Sequence, residues 1–117
     1  MIIEKIILNH LNSVMAIPYY MEEPINKPDE YGLIEKTGST EITKLACSST
    51  FAIQTYAQSL EDAAERNQEM IEAMDSLINY DEVCHCELNS DYNFTDTTTK
   101  RYRYQAVFDV VHYRGGN

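Results

Sequence analysis

The feature that most constrains the fold is a change of hydrophobic period near residue 58. Over residues 42–56 apolar and polar side chains alternate, which predicts a half-buried strand of an antiparallel sheet. Over residues 60–79 apolar side chains recur every three to four positions, which predicts a helix about 30 Å long. Ser59 is the expected N-cap of this helix, with Asp62 at its N3 position. A long strand followed at once by a long amphipathic helix favours a sheet with the helix packed against it.

The flanking segments complete this pattern. We expect a helix over residues 2–15, short strands over 17–21 and 31–35, a turn over 36–40 around Gly38, a strand over 83–88, a polar loop over 89–99, a last strand over 101–113 and a frayed end over 114–117. The predicted fold is therefore α+β: an antiparallel sheet of four to five strands with two helices packed on one face. At 117 residues the chain is expected to form a single domain over 1–117.

Composition excludes several classes of protein. The chain has 19 acidic and 9 basic residues, a net charge of −10, so it is expected to repel nucleic acid phosphates rather than bind them non-specifically. No apolar run approaches the roughly 18 residues of a membrane span. The first residues lack the basic region and cleavage site of a signal peptide. With an odd number of cysteines, three, the chain is expected to keep free thiols in a reducing cytoplasm.

Motifs for chemistry are missing from the sequence. It contains no nucleotide-binding, nucleophile-elbow, zinc-protease or EF-hand pattern. Cys84 and Cys86 flank His85, but on a strand the two cysteines share one face and the histidine points to the other, so we interpret them as small buried hydrophobes. We predict no metal, no cofactor and no enzymatic activity. A nucleophile pair of Cys84 or Cys86 with His112 stays open, since such partners meet only in space.

One histidine and one run of hydroxyl side chains have a structural interpretation. His10 lies on the apolar side of the predicted first helix and is interpreted as a satisfied, partly buried histidine. The hydroxyls of residues 48–50 are expected to be exposed on their strand, with no role beyond strand propensity.

Charge is unevenly distributed. Residues 58–96 contain eleven acids and only Arg66, whereas residues 97–117 contain four bases and only Asp109. On the predicted long helix, four glutamates share one face at helical spacing: Glu61, Glu65, Glu69 and Glu72. This face is either a solvated surface that keeps the protein soluble or a contact surface for the basic strand of a neighbouring copy. In the second case a head-to-tail contact can close into a ring.

The layout resembles the small tail terminator proteins of long-tailed phages and prophages, also called tail completion or tail-to-head joining proteins. The resemblance covers nearly the full chain and depends on the order, spacing and size of its segments. The segments that contribute to it are residues 17–22 (IPYYME), 31–35 (YGLIE), 51–57 (FAIQTYA), 59–63 (SLEDA) and 101–105 (RYRYQ). No catalytic residue is transferred by this resemblance.

The resemblance implies an α+β virion subunit, present in the host cytoplasm during assembly, that forms a hexameric ring. Such a ring would cap the tail tube, stop its growth and join it to the head connector, so the expected partners are other copies, the tail tube protein and the head–tail connector protein. We predict exposed interface residues in the polar loop and the start of the last strand: Tyr92, Phe94, Arg101 and Arg103. Two alternatives are a head-completion or neck adaptor protein and a small acidic DNA mimic.

Overall fold

The computed structural model describes residues 2–114. In this range it has two α-helices, α1 (Ile3–Val14) and α2 (Leu60–Met74). Its five strands are β1 (Tyr19–Tyr20), β2 (Tyr31–Glu41), β3 (Ala46–Ala57), β4 (Val83–Asn93) and β5 (Tyr102–Tyr113). The predicted α+β fold is confirmed, because the helices pack against a mostly antiparallel sheet. The frayed end predicted for 114–117 lies outside the described residues except for Arg114.

The strand order is β1-β2-β3-β5-β4. All neighbours are antiparallel except β1 and β2, which are parallel, so the expectation of a purely antiparallel sheet is wrong at this edge. The reason is the connection: residues 21–30 form a long polar loop with two prolines, which lets the chain cross back instead of reversing in a tight hairpin. At two residues, β1 is also shorter than the predicted strand over 17–21.

The turn predicted at residues 36–40 is wrong. Strand β2 continues through Gly38 to Glu41, and the pairing with β3 shifts between Lys36 and Gly38, so the glycine lies at a β-bulge. The chain reverses at residues 42–45 instead, where the Thr43 hydroxyl oxygen accepts hydrogen bonds from the backbone N–H groups of Leu45 and Ala46, both at 3.1 Å. A threonine side chain that caps a turn in this way replaces the turn chemistry expected of glycine.

Strand β4 is longer than predicted, because residues 89–93 of the expected polar loop pair with β5. A register shift between Val83 and His85 leaves Cys84 exposed and Cys86 half-buried against the core. The prediction that both cysteines are buried on one core face is therefore wrong for Cys84, since a bulge breaks the strict alternation of a strand. Burial raises the pKa of the Cys86 thiol to about 11.

The core lies between the two helices and one face of the sheet. Its members with almost no exposed surface include Ile7 and Leu11 from α1, Met70 and Met74 from α2, and Phe51 from β3. The N-cap prediction is confirmed, because the Ser59 hydroxyl oxygen accepts a hydrogen bond from the Asp62 N–H at 3.0 Å. The helix predicted over 60–79 is α-helical to Met74 and continues as a 3-10 helix over Asp75–Asn79.

His10 is a buried, satisfied histidine as predicted. Its Nδ1 lies 3.1 Å from the Tyr80 hydroxyl, and its Nε2 lies 2.8 Å from the Ala73 carbonyl oxygen and 2.9 Å from the Ser76 hydroxyl. These contacts join α1 to the end of α2, so the histidine contributes to helix packing.

The short strand β1 is fixed to the sheet by Tyr19. Its buried ring lies over Gly32, where a Cβ atom would come within 2.0 Å of the ring carbon Cε2. Its hydroxyl lies 2.9 Å from Thr55 Oγ1, and burial raises the pKa of this tyrosine. Gly32 is therefore required for close approach between the ring and the β2 backbone.

Candidate interaction surface

Within residues 2–114, the second face of the sheet, here called the open face, carries no helix. Residues opposite one another in an antiparallel pair lie on the same face, and the core residue Phe51 is opposite Phe108. The alternate set, which includes Tyr56 opposite Arg103 and Tyr31 opposite Tyr56, therefore points away from the helices. At one end of this face arginines and aromatic rings are interleaved.

The buried part of this cluster joins β2, β3 and the start of β5. The rings of Tyr31 and Tyr56 stack with centroids 4.8 Å apart and planes 6° from parallel. The Arg101 guanidinium lies 4.6 Å from the Tyr56 centroid, forms an ion pair with Glu23 at 2.6 Å, and also donates a hydrogen bond to the Tyr31 hydroxyl. These contacts tie the loop before β2 to β5.

The Glu23 carboxylate is held in its charged form. The Tyr31 hydroxyl donates a hydrogen bond to it at 2.5 Å, and Arg101 donates a second one. These bonds lower the pKa of Glu23 below its usual 4.5. Burial, and the hydrogen bond to the carboxylate, raise the pKa of Tyr31.

The exposed part of the cluster is centred on Arg103. Its guanidinium carbon lies 4.4 Å from the Phe94 ring centroid, and it donates hydrogen bonds at 2.7 Å to the Phe94 carbonyl and to the Tyr56 hydroxyl. The Phe94 ring meets the Tyr92 ring edge-on at 5.9 Å. Among residues 2–114 no carboxylate lies within ion-pair distance of Arg103, and its hydrogen bonds go to neutral acceptors.

The aromatic–arginine surface is defined here by six residues: Tyr31, Tyr56, Tyr92, Phe94, Arg101 and Arg103. Tyr92 and Phe94 are 41% and 39% exposed, whereas the two arginines are half-buried by the contacts above. The structure therefore brings together all four residues predicted in this region. Tyr31 and Tyr56 were missed, because nothing local to their strands indicates contact with arginines that lie 70 and 47 positions away.

A groove of about 350 Å³ adjoins this surface. Its lining includes Tyr31, Tyr56 and Arg101 together with Lys27 and Lys100. Within the described residues neither lysine forms an ion pair. Lys100 has a φ of 56°, in the left-handed region. Asp29 lines the same groove, so both cationic and acidic side chains contribute to this end of the open face.

The four glutamates lie elsewhere, in a glutamate column on the outer face of α2. This column comprises Glu61, Glu65, Glu69 and Glu72, all exposed. Glu69 pairs with Arg66 at 2.5 Å and Glu65 lies 3.9 Å from the same guanidinium. Glu61 and Glu72 form no ion pair with any other described residue. Because α2 covers the opposite side of the sheet, the column and the aromatic–arginine surface occupy different sides of the molecule.

One serine–histidine pair has the spacing of a reactive dyad. Ser49 Oγ lies 2.7 Å from His112 Nε2 and 3.1 Å from Ser39 Oγ, and His112 Nδ1 lies 3.0 Å from the Tyr113 carbonyl oxygen. Ser49 has no exposed surface, so the prediction of exposed hydroxyls over 48–50 is wrong for it. The alternation of β3 could have indicated this, because Ser49 shares its face with Phe51. With no access for a substrate, the pair acts as an internal hydrogen bond between β3 and β5.

Across residues 2–114 no three His, Cys, Asp or Glu side chains are arranged to hold a metal ion. In the same range no helix has both the length and the apolar character needed to cross a membrane.

Comparison with protein-family models gives no match, and comparison with curated protein sequences gives none either.

Proposed function

We propose that this chain is a structural subunit of the phage tail terminator type. It associates with copies of itself into a ring, and the ring caps the tail tube and joins it to the head connector. The proposal is supported by the α+β fold, which agrees with that implied by the resemblance. The observation that carries it is Arg103, a half-buried cation with no ion pair within residues 2–114, which lies between the exposed Phe94 ring and the buried Tyr56 ring on the open face.

Charge supports contact between unlike surfaces. Within residues 2–114, Arg103 and the flanking Lys27 and Lys100 form no ion pair, and neither do Glu61 and Glu72 of the glutamate column. Pairing the open face of one copy with α2 of the next would neutralise both. Such a contact is heterologous, and it forms a closed ring when the rotation between neighbours divides a full turn.

Aromatic rings and arginine are the side chains that contribute most to protein interfaces. Tyr92 and Phe94 are held in fixed positions by the hydrogen bond from Gln105 to the Tyr92 hydroxyl at 2.5 Å and by the Arg103 contacts. Little side-chain entropy is therefore lost when a partner covers them.

The function is tested by incubating the purified protein separately with phage tail tubes and with heads, followed by electron microscopy. We expect additional ring-shaped density at one end of the tubes. Arg103→Gln should reduce the occupancy of tube ends, because the variant keeps hydrogen-bonding groups but loses the charge. Lys36→Gln is the matched control, since Lys36 already pairs with Glu4 at 3.4 Å and is not part of the aromatic–arginine surface.

Two outcomes would contradict the proposal. Binding to heads and not to tubes would favour a head-completion or neck adaptor protein. A protein that stays monomeric in the presence of tubes, as judged by sedimentation, would exclude a ring-forming terminator.

A further inference from the structure

The turn between β2 and β3 presents two apolar side chains to solvent. In this hairpin tip, defined as residues 42–45, Leu45 is 74% exposed and Ile42 is 54% exposed. The backbone of the tip is fixed, because the Thr43 hydroxyl accepts two backbone hydrogen bonds and the Leu45 carbonyl accepts one from the Arg114 N–H at 2.9 Å. Exposed apolar side chains on a well-ordered turn are typical of an interaction site.

A groove beside β1 is large enough to receive the two apolar side chains of the hairpin tip. This α1–β1 groove has a volume of about 660 Å³, and its lining is Leu8, Asn12, Tyr19, Tyr20, Met21 and Glu22. Its wall is preformed, because the Asn12 side chain exchanges two hydrogen bonds with the Tyr19 backbone, at 2.8 and 3.1 Å. Met21, at 46% exposure, is a flexible apolar side chain that adapts to an inserted partner.

The hairpin tip and the groove lie at opposite ends of one strand. Tyr20 pairs with Leu33, and β2 ends eight residues later at Glu41, which corresponds to about 26 Å along the strand. Because the two sites are separated by a paired strand, the tip of a chain cannot reach its own groove. Only another molecule can fill it.

The charges at the two sites are opposite. Lys44 is exposed in the hairpin tip and Glu22 is exposed at the rim of the groove. Neither forms an ion pair within the described part of the chain. A tip inserted into a groove would therefore bring an apolar pair into an apolar site and a lysine next to a glutamate.

We propose that the hairpin tip of one copy docks into the α1–β1 groove of the next. The occupant of the groove is a second copy of this chain, with Leu45 and Ile42 inserted beside Met21 and with Lys44 paired to Glu22. This inference rests on the self-association in the proposed function and assigns it a second contact. Because tip and groove are different surfaces, the contact is heterologous. A pair of docked copies therefore keeps one free tip and one free groove.

The first test is Leu45→Glu, with Ile25→Glu as its matched control. Ile25 is 97% exposed, lies in the loop before β2 and does not line the groove. By sedimentation velocity, at the concentration where the wild type is half assembled, Leu45→Glu should weaken self-association roughly tenfold or more. Ile25→Glu adds the same charge and should leave it unchanged. Equal behaviour of the two variants would overturn the docking proposal.

The second test uses the two-sided nature of the contact. Met21→Glu blocks the groove and Leu45→Glu blocks the tip, so each variant alone should show weakened association. A mixture of the two keeps one intact tip and one intact groove, so it should dimerise more strongly than either variant alone. Failure of the mixture to dimerise, while the wild type assembles, would overturn the proposal.

These measurements separate the docking contact from the function. If Leu45→Glu assembles as well as the wild type does, the docking contact is overturned and the ring-forming function is left in place. A wild type that assembles through the tip but never binds tail tubes overturns the tail function and supports the contact. A wild type that stays monomeric at every concentration, with and without tubes, overturns both.

Discussion

At the scale of single residues, the two arginines of the aromatic–arginine surface differ in how their charge is balanced. Arg101 has an ionic partner in Glu23, so its main effect is to hold the preceding loop onto the sheet. Arg103 donates only to a carbonyl and a hydroxyl, so its charge is available to a partner. Both guanidinium planes lie near the Tyr56 ring, at 4.6 and 5.6 Å, an arrangement that lysine would not reproduce.

The Glu23 interaction predicts a specific pH dependence of stability. The pKa of Glu23 is lower in the folded chain than its usual 4.5, so its stabilising effect is present above that value and disappears as the pH falls through the folded pKa. Glu23→Gln should therefore reduce the free energy of unfolding at pH 7 and have little effect at a pH low enough to protonate the Glu23 carboxyl in the folded chain. Urea denaturation at both pH values measures this difference.

The control is Glu22→Gln, which removes a neighbouring glutamate that forms no ion pair within residues 2–114. It should not reproduce the pH-dependent difference. An effect of Glu23→Gln that is equal at both pH values would mean that its hydrogen bonds to Tyr31 and Arg101 do not stabilise the charged carboxylate.

At the scale of elements, the strongest local patterns predicted the right kind of element, although the strand predicted over 42–56 begins only at Ala46, because residues 42–45 form the turn. The alternation in β3, the apolar period of α2 and the Ser59 N-cap each depend on residues close in the chain. The turn was misplaced because Gly38 is compatible with a turn or a bulge, and the choice is made by Thr43, whose hydroxyl closes the actual turn. The parallel pairing of β1 and the contact of Tyr31 with Arg101 depend on residues distant in sequence, and no local pattern indicates them.

The pairing of β1 with β2 predicts unequal effects of alanine at two glycines. Gly32→Ala places a Cβ atom 2.0 Å from the Tyr19 ring, which is buried and hydrogen-bonded to Thr55, so we expect a loss of about 1–3 kcal/mol in the free energy of unfolding. Gly38→Ala is the control, because its Cβ would meet nothing within 4 Å. Denaturant unfolding of both variants provides the comparison, and equal stability would show that the Tyr19 ring can move away.

At the scale of the whole molecule, the core is unevenly placed along an elongated body of 44 × 24 × 23 Å. In β2, buried residues occur only within residues 31–34, and residues 35–41 are exposed. The outer part of β2 therefore depends on its backbone hydrogen bonds to β3, although Val83 and Val110 continue the core into β4 and β5 at the same end of the sheet. Residues 38–45, which include the hairpin tip, have no buried side chain.

This asymmetry predicts a gradient in amide hydrogen exchange. Amides of Ile53, Ala106 and Phe108, at the centre of the core, should exchange only by global unfolding. Amides over residues 38–45 should exchange at least tenfold faster, because local opening of this end exposes little apolar surface. Exchange followed by mass spectrometry or NMR on the monomer measures both sets, and uniform protection would contradict the gradient.

The irregular pairings at both sides of the sheet have a consequence for aggregation. The register shifts in β2 at residues 36–38, and in β4 at 83–85 and again at 88–90. A bulged border is a poor template for an additional strand, because its N–H and C=O groups no longer form an even row. Copies of this chain are therefore hindered from pairing edge to edge through their backbones into amyloid-like stacks.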